Sequence, residues 1–430
     1  MYDAQSRREF LRRALAAGVA TSTAPLTRSL YAEDVPQDAA DSSDKLRIGI
    51  VGCANRGYAN LSGVRGEAIV SLCDVDQRHL AKAAEEFPAT RTFTDYRRMI
   101  DAGGLDAVVV STPDHTHAIP VVRALQAGLD VYCEKPLAHS VWEVRQMREW
   151  AARQKAVTQM GTQIHAGDNY RRVVELVRAG AVGPVERVHV WLGGGVRTGK
   201  RVEKGTPPSE VDYDLWTGPA PMRPFHESHF HFNWRYWWDF GGGALADFGC
   251  HYMDLPCWAL DLRYPTHVAA TGEKGHDGDN EVPQHMQVDY KFPARDSQPP
   301  VHLTWYHGSW RPEGAEEYER GSAVLFEGPR GRLVADYSTH KLYADARDPG
   351  IDSIPNSIGH HAEWIAACKA RGETTCNFDY SGALAETALL GNVSYRAGSP
   401  LDWDAERLVA TNCPAADPFV RREYREGWSL

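Results

Sequence analysis

The sequence predicts an α/β protein in which a doubly wound parallel sheet is followed by an α+β domain with an open, mostly antiparallel sheet. First, a short apolar run, residues 46–51, enters a G-x-A-x-x-G turn at residues 52–57. Second, apolar runs alternate with helical stretches as far as residue 160, which favours a parallel sheet. Third, later strand-like runs alternate polar with apolar residues, as in a sheet with one solvated face. We therefore predict a Rossmann domain over residues 45–160 and a second domain over residues 161–430.

The glycine-rich turn after the first strand is typical of dinucleotide binding. Gly52 would form the tight bend, and Gly57 would let the next helix pack close to the strand. Ala54 departs from the pattern, because it stands where a second glycine usually lets the backbone approach the pyrophosphate. We place the pyrophosphate at the start of the helix, beside Asn55 and Arg56. Such turns also occur in ordinary loops, but here strand, turn, helix, second strand and terminal acid follow in order.

The second apolar run, residues 68–73, ends at Asp74, about twenty residues after the glycines. A carboxylate at this place accepts hydrogen bonds from the hydroxyls of the adenosine ribose. It also repels a 2′-phosphate, so the sequence favours NAD as the cofactor. Arg78 lies one helical turn later and could bind a 2′-phosphate, so NADP stays open as the alternative cofactor.

Two polar segments follow later strands of the predicted sheet, residues 112–117 (Thr-Pro-Asp-His-Thr-His) and 134–136 (Glu-Lys-Pro). Doubly wound sheets bind ligands at the carboxyl ends of their strands. We therefore assign the following residues to the cofactor site: Thr112, Pro113, His117, Glu134 and Lys135.

The proton chemistry of alcohol oxidation needs groups that bind and deprotonate a hydroxyl. Lys135 follows an apolar strand and precedes a proline, while Asp247 and His251 lie four residues apart, on one face of a predicted helix. In this hypothesis Lys135 hydrogen-bonds the hydroxyl, His251 takes its proton, and Asp247 orients His251 or the substrate. The rate should then rise between mildly acidic and neutral pH. The alternatives are a surface lysine and an ordinary buried histidine.

The chain resembles the glucose–fructose oxidoreductase/inositol dehydrogenase (Gfo/Idh/MocA) family from about residue 45 to its C-terminus. The turn at 52–57, the segments 112–117 and 134–136, and the D-x-G-x-H-x-x-D-like run at 247–254 carry the resemblance. It implies an NAD(P)-dependent sugar or polyol oxidoreductase, with Lys135, Asp247 and His251 as the catalytic residues. It also implies that the second domain serves substrate binding and homo-oligomer formation.

Periodicity in the second domain predicts a helix over residues 168–179 and late helices over 360–371 and 383–395. Strands are predicted over residues 185–192, 267–271, 284–292, 301–306 and 323–327.

Residues 215–240 form an insertion rich in tryptophan, phenylalanine and histidine. Aromatic faces stack on sugar rings, so we assign Trp234 and Arg235 to the substrate site. A tryptophan-rich core or a subunit contact is the alternative. Three of the histidines have a H-x-x-H-x-H spacing that is compatible with zinc: His226, His229 and His231. Without a matching acid or cysteine, we predict no metal.

The composition and net charge limit the classes of partner that the chain is expected to bind. The chain has 430 residues and a net charge of −10, without a run rich in lysine and arginine, which argues against nucleic acid and anionic membranes. No stretch reaches the roughly 18 apolar residues of a membrane span. The eight cysteines are predicted to be buried free thiols, because several end interior strands.

The N-terminus carries its own signal. Arg7 and Arg8, followed by a modest apolar run, predict a twin-arginine signal peptide over residues 1–32 and a flexible leader over 33–44. A basic helix that arose by chance is the alternative. We expect periplasmic export of the folded protein with its NAD.

Two other functions stay open. One is a glycosidase that uses NAD transiently, through oxidation, elimination and reduction. The other is a sugar-binding protein without activity, which the intact Lys135, Asp247 and His251 argue against.

Overall fold

A computed structural model describes residues 44–194, 205–275 and 277–430. The first sheet has six strands in the order β3-β2-β1-β4-β5-β6, and every pair in it is parallel. Its strands are β1 (Arg47–Val51), β2 (Ala68–Cys73), β3 (Arg91–Phe93), β4 (Ala107–Val110), β5 (Asp130–Glu134) and β6 (Thr158–Gly161). The valine- and isoleucine-rich central strands are buried on both faces, as in a sheet covered by helices. The predicted doubly wound sheet is confirmed.

Five helices alternate with these strands: α1 (Arg56–Gly63), α2 (Gln77–Glu86), α3 (Tyr96–Asp101), α4 (Ala118–Gln126) and α5 (Val141–Gln154). Asp76 caps α2, since its side chain accepts the backbone N–H of Arg78. A capping box of Ser140 and Glu143 begins α5. The helices place the carboxyl ends of the strands, and the turns that follow them, on one edge of the sheet.

Within the described ranges, the second sheet has nine strands in the order β13-β12-β11-β7-β10-β9-β8-β14-β15. Of its pairs, β7 with β10 is parallel and the others are antiparallel, so the prediction of a mostly antiparallel sheet is confirmed. The strands are β7 (Arg187–Gly193), β8 (His267–Glu273), β9 (His285–Phe292), β10 (Val301–Gly308), β11 (Ala323–Gly328), β12 (Gly331–Ala335), β13 (His340–Tyr343), β14 (Leu401–Asp404) and β15 (Val409–Ala410).

The remaining helices are α6 (Asp168–Arg178), α7 (Tyr213–Thr217), α8 (Gly243–Tyr252), α9 (Asp254–Leu260), α10 (His360–Ala370), α11 (Phe378–Ala397) and α12 (Asp417–Val420). Short 3₁₀ helices cover Asp114–Thr116, Gln163–Ala166, Asn233–Tyr236, Ala315–Tyr318 and Pro414–Ala416. The long helix α11 packs against α5, α8 and β8. Its Glu386 binds Arg145 and Arg148 of α5 at 2.8 and 3.3 Å, so helices that flank both sheets are joined by a buried carboxylate.

All eight cysteines are buried and unpaired, as predicted. Within the described residues, no helix is both long enough and apolar enough to cross a bilayer. The predicted signal peptide and nearly all of the leader lie outside the residues that the structure describes.

Candidate active site

The glycine turn after β1 leaves no room for a side chain at two positions. A Cβ on Gly52, whose φ is +88°, would lie 2.8 Å from a carbonyl oxygen in the segment after β4. A Cβ on Gly57 would lie 2.0 Å from the carbonyl oxygen of Gly52. Ala54 is partly buried, whereas Asn55 and Arg56 are exposed at the start of α1. This cradle of backbone and helix start fits a pyrophosphate.

Asp74 directly follows β2, and backbone N–H groups hold its carboxylate. It accepts the N–H groups of Cys53 and Asp76, at 2.8 and 2.9 Å. Burial raises the pKa of Asp74, and these two hydrogen bonds oppose the rise. Carboxylate oxygens accept more than one hydrogen bond each, so ribose hydroxyls can still bind. Arg78 is paired with Asp76 at 2.7 Å, which weakens it as a ligand for a 2′-phosphate.

The segment after β4 is fixed by a buried histidine. Nε2 of His117 donates to the carbonyl oxygen of Thr112 at 2.7 Å, and burial lowers the pKa of His117 to about 4. Pro113 precedes the 3₁₀ helix that follows. The hydroxyl of Thr112 is buried and has no hydrogen-bond partner in the described part of the chain. It is therefore available to a ligand at the strand ends, while His117 holds the turn in place.

Glu134, at the end of β5, is oriented by two amides that sequence reasoning missed. Its Oε1 accepts from Nδ2 of Asn60 at 2.9 Å and from Nε2 of Gln163 at 2.8 Å. Asn60 lies on α1, close after the glycine turn, and also donates to the Ser111 hydroxyl. The sequence signal for this contact was an asparagine one helical turn after Gly57, on the helix that begins at the glycine turn. Glu134 thus links the cofactor turn to the strand that precedes Lys135.

Lys135 contacts Asp247, a contact that the sequence did not predict although it assigned both residues to the same site. Nζ of Lys135 donates to Oδ1 of Asp247 at 2.5 Å and to its backbone carbonyl at 2.7 Å. Nε of Arg235 lies 3.2 Å from the same Oδ1. Burial alone would raise the pKa of Asp247, but Lys135 and Arg235 outweigh it and hold that pKa well below its usual range. The result is a carboxylate, 18 % exposed, that lies between two cations.

His251 lies one turn after Asp247 on α8, as predicted. Its Nδ1 is buried and has no hydrogen-bond partner among residues 44–194, 205–275 and 277–430, so Asp247 holds Lys135 rather than His251. Burial, with Lys135 and Arg56 nearby, lowers the pKa of His251 well below its usual value. The imidazole is therefore neutral, and able to accept a proton, at neutral pH. The rate was expected to rise between mildly acidic and neutral pH. Because the pKa of His251 is lowered, any rise in rate that depends on its deprotonation should occur at a lower pH.

Asp114 is an ionisable group of the site to which the sequence assigned no role. It lies in the segment after β4 and is 6 % exposed. Burial raises the pKa of Asp114 to about 7. The negative charge of Asp247 also raises this pKa, whereas the positive charges of Lys135 and Arg235 lower it. The sequence shows that Asp114 lies in the 112–117 segment. It does not show that Arg235 and Asp247, more than a hundred positions later, lie near it. This carboxyl changes charge close to physiological pH.

Replacing Asp114 by asparagine should flatten the pH dependence of stability. The folded protein keeps the Asp114 proton up to about pH 7, while an unfolded chain releases it near pH 4, so this residue makes stability fall as pH rises between the two. The difference in Tm between Asp114→Asn and the parent should therefore move in favour of the variant from pH 5 to pH 8. Thermal unfolding at equal cofactor content measures it. Asp345→Asn, at a 93 % exposed carboxylate, is the control; a constant difference for Asp114→Asn would refute the assignment.

Most rings of the aromatic insertion form a core. Trp216, Trp234, Trp237 and Phe240 are buried in one cluster with Ala220. This packing supports the alternative of a tryptophan-rich core for these rings. Trp234 is 5 % exposed, and the Arg235 guanidinium lies over its ring at 4.3 Å. The insertion therefore reaches the site through Arg235, and direct contact of Trp234 with substrate stays a prediction.

The histidines of the insertion do not converge. Nε2 of His229 lies 3.0 Å from the Tyr213 hydroxyl, and Nε2 of His231 lies 2.9 Å from Oδ2 of Asp76. His226 is packed edge-on against the His229 ring. Within the described residues, one group of side chains has a geometry that could hold a metal ion, and it consists of Asp76, His79 and His231. His226 and His229 are not part of it.

Asp254, which ends the late motif, is hydrogen-bonded to residues other than Lys135 in the part of the chain that the structure describes. Its carboxylate binds Nδ1 of His165 at 2.9 Å and accepts the Tyr380 hydroxyl at 2.7 Å. Both His165 and Asp254 are fully buried. Asp254 therefore fixes α9 against neighbouring elements rather than taking part in the site.

Two family models match the chain. Residues 46–162 match "Oxidoreductase family, NAD-binding Rossmann fold", and residues 189–430 match "Oxidoreductase family, C-terminal alpha/beta domain". The first match agrees with the glycine cradle and with Asp74 at the end of β2. NAD as the cofactor is thereby confirmed.

Individual proteins are similar over shorter stretches. A glycosyl hydrolase family 109 protein of Shewanella baltica (strain OS185) is 29 % identical over 199 residues, 41 % of this chain and 43 % of the relative. Inositol 2-dehydrogenase 3 of Saccharopolyspora erythraea is 34 % identical over 149 residues, 34 % of this chain and 44 % of the relative. The chain thus spans less than half the length of these curated relatives.

A solved structure shows the same fold. It is the WlbA dehydrogenase from Bordetella pertussis in complex with NADH and UDP-GlcNAcA. The TM-score is 0.62 at 18 % identity, over 84 % of this chain and 99 % of that one.

Proposed function

Since the chain belongs to the Gfo/Idh/MocA oxidoreductase family, we propose that it transfers a hydride between NAD and the hydroxyl-bearing carbon of a sugar, polyol or glycoside. The observation that carries the proposal is the contact of Lys135 with Asp247, one helical turn from a neutral His251. These groups bind and deprotonate a hydroxyl without a metal.

NAD, when bound, supplies the hydride acceptor. Asp247 holds Nζ of Lys135 through the 2.5 Å contact, so that the ammonium is positioned to donate to the oxygen of the substrate hydroxyl. His251, neutral because of its burial, accepts the proton of that hydroxyl. Arg235 adds a second cation beside Asp247 and can bind a neighbouring hydroxyl. The cations stabilise the negative charge that develops on the substrate oxygen.

A second candidate is a glycosidase that uses NAD transiently. The similarity to a glycosyl hydrolase family 109 protein favours it, at 29 % identity over 199 residues. The same residues serve both functions, because each begins with deprotonation of a hydroxyl and loss of a hydride.

The test follows both product and cofactor in the folded protein. The protein is supplied with NAD and with free sugars, polyols and nitrophenyl glycosides, while nicotinamide absorbance and product mass are recorded. An oxidoreductase forms one reduced cofactor for each product that has lost two hydrogens. A glycosidase releases many nitrophenol molecules per bound NAD, without net reduction. A parent protein that does neither on any hydroxyl compound, while binding NAD, would contradict the proposal.

We also propose export through the twin-arginine route, as a homo-oligomer that carries its cofactor. Replacing Arg7 and Arg8 together by lysine should leave folded, NAD-loaded protein in the cytoplasm. Cell fractionation, with nucleotide analysis of the purified protein, measures this, and light scattering gives the oligomeric state. Export of the double variant at the parent level would show that the paired arginines are not a transport signal.

A further inference from the structure

Three metal-compatible side chains lie together beside the adenosine end of the cofactor site. Nε2 of His231 and Nδ1 of His79 lie 2.9 and 3.9 Å from Oδ2 of Asp76. The three ligand atoms are all within 4.8 Å of one another, and the two imidazole centroids are 5.0 Å apart. Asp76 is fully buried, while His79 and His231 are 29 % and 26 % exposed. The group therefore has a buried anionic side and a side open to water.

These distances fit a tetrahedral ion after small movements. Zinc binds histidine nitrogen and carboxylate oxygen at about 2.0–2.2 Å, which separates its ligand atoms by roughly 3.3 Å. The 2.9 and 3.9 Å separations lie on either side of this value. Two imidazoles and one carboxylate suit zinc and similar transition metals better than magnesium or calcium. Water on the exposed side can supply the fourth ligand.

Arg78 does not occupy the position that an ion needs. Its guanidinium binds Oδ1 of Asp76 at 3.0 Å and Oδ2 at 2.7 Å, and its backbone N–H binds Oδ1 at 2.9 Å. Oδ2 thus has one further acceptor direction, which now faces His231. An ion would replace that single hydrogen bond and leave the arginine pair in place.

We propose that Asp76, His79 and His231 form a zinc site that fastens the aromatic insertion to the loop after β2. The segment before the insertion is already joined to this loop, since Gln77 donates to the Glu210 carbonyl at 2.9 Å. The site adds a second attachment through His231. Because the N–H of Asp76 donates to Asp74, the ion also stiffens the loop that holds the ribose-binding carboxylate.

The experiment uses the full chain without a histidine tag, with its cofactor, after chelator treatment. Zinc uptake is measured by elemental analysis, Co²⁺ binding by visible absorbance, and stability by Tm. The variants are His79→Gln and His231→Gln, each of which removes one ligand from a partly exposed position. The control is His267→Gln, because His267 pairs with a lone carboxylate, Asp402, at 2.8 Å. Circular dichroism verifies that every variant is folded.

We expect one zinc per chain in the parent and in His267→Gln, with an increase in Tm of about 2 °C or more at saturation. Each ligand variant should bind zinc at least ten-fold more weakly and lose this increase in Tm. NAD binding by the metal-free protein should persist, which separates this site from the proposed enzyme activity. A parent that takes up no zinc, or ligand variants that bind it as the parent does, would overturn the proposal.

Discussion

Replacing Lys135 or His251 by alanine is expected to reduce turnover by roughly 10²–10⁴-fold, the contribution usual for a positioned acid or base. Lys135→Ala removes the ammonium that Asp247 holds at 2.5 Å, and among the described residues it leaves Arg235 as the cation paired with that carboxylate. His251→Ala removes the neutral base. The two losses should not multiply in the double variant, because both residues act on the same hydroxyl.

The measurement is kcat and KM for the parent, both single variants and the double variant on one confirmed substrate, together with the affinity for NAD. NAD affinity should stay within a few-fold of the parent, because neither side chain is assigned to the pyrophosphate or to the adenosine. His267→Ala, at the surface beside Asp402, is the control for loss of an imidazole. If His251→Ala keeps near-normal turnover, the base lies elsewhere in the site.

Replacing Gly57 by alanine is expected to weaken NAD binding by about 10²-fold or more. The new Cβ would lie 2.0 Å from the carbonyl oxygen of Gly52, so α1 would have to move away from the turn after β1. That movement separates the helix start from the backbone that cradles the pyrophosphate. Strain of this kind also destabilises a protein, by about 2 kcal/mol or more.

The matched control is Gly66→Ala, where an added Cβ meets nothing within 4 Å. Calorimetric titration with NAD after removal of bound nucleotide gives the affinity, and Tm gives the stability. Gly66→Ala should resemble the parent in both. If Gly57→Ala binds NAD as tightly as Gly66→Ala does, the turn is not the pyrophosphate site.

The elements predicted most accurately from sequence are those with a strong local pattern. The predicted strand over residues 68–73 has the bounds of β2, and the helix predicted over 168–179 is observed at Asp168–Arg178. The strand β3 (Arg91–Phe93) was missed, because three residues, two of them exposed, carry no periodic signal. The strands β12 to β15 were also missed, because runs of two to five residues are too short for a periodic pattern to be recognised.

The sequence alone determined the order of the Rossmann elements and the candidates at the strand ends, because backbone requirements and side-chain alternation are local. It also placed Asp247 and His251 on one helical face, since their spacing is one turn. Only the tertiary structure decided what these groups face. Asp247 is shared by Lys135, 112 residues earlier, and by Arg235 from the aromatic insertion.

The tertiary structure likewise decided between alternatives that the sequence left open. Four aromatic rings of the insertion pack into one core, and His231 turns to Asp76, 155 residues away, instead of towards His226 and His229. The ionisation of Asp114 and His251 also depends on burial by distant segments. Contacts of this kind, and the loss of water around a buried ionisable group, arise only when the chain has folded. The local spacing of residues does not show which distant side chains will cover that group.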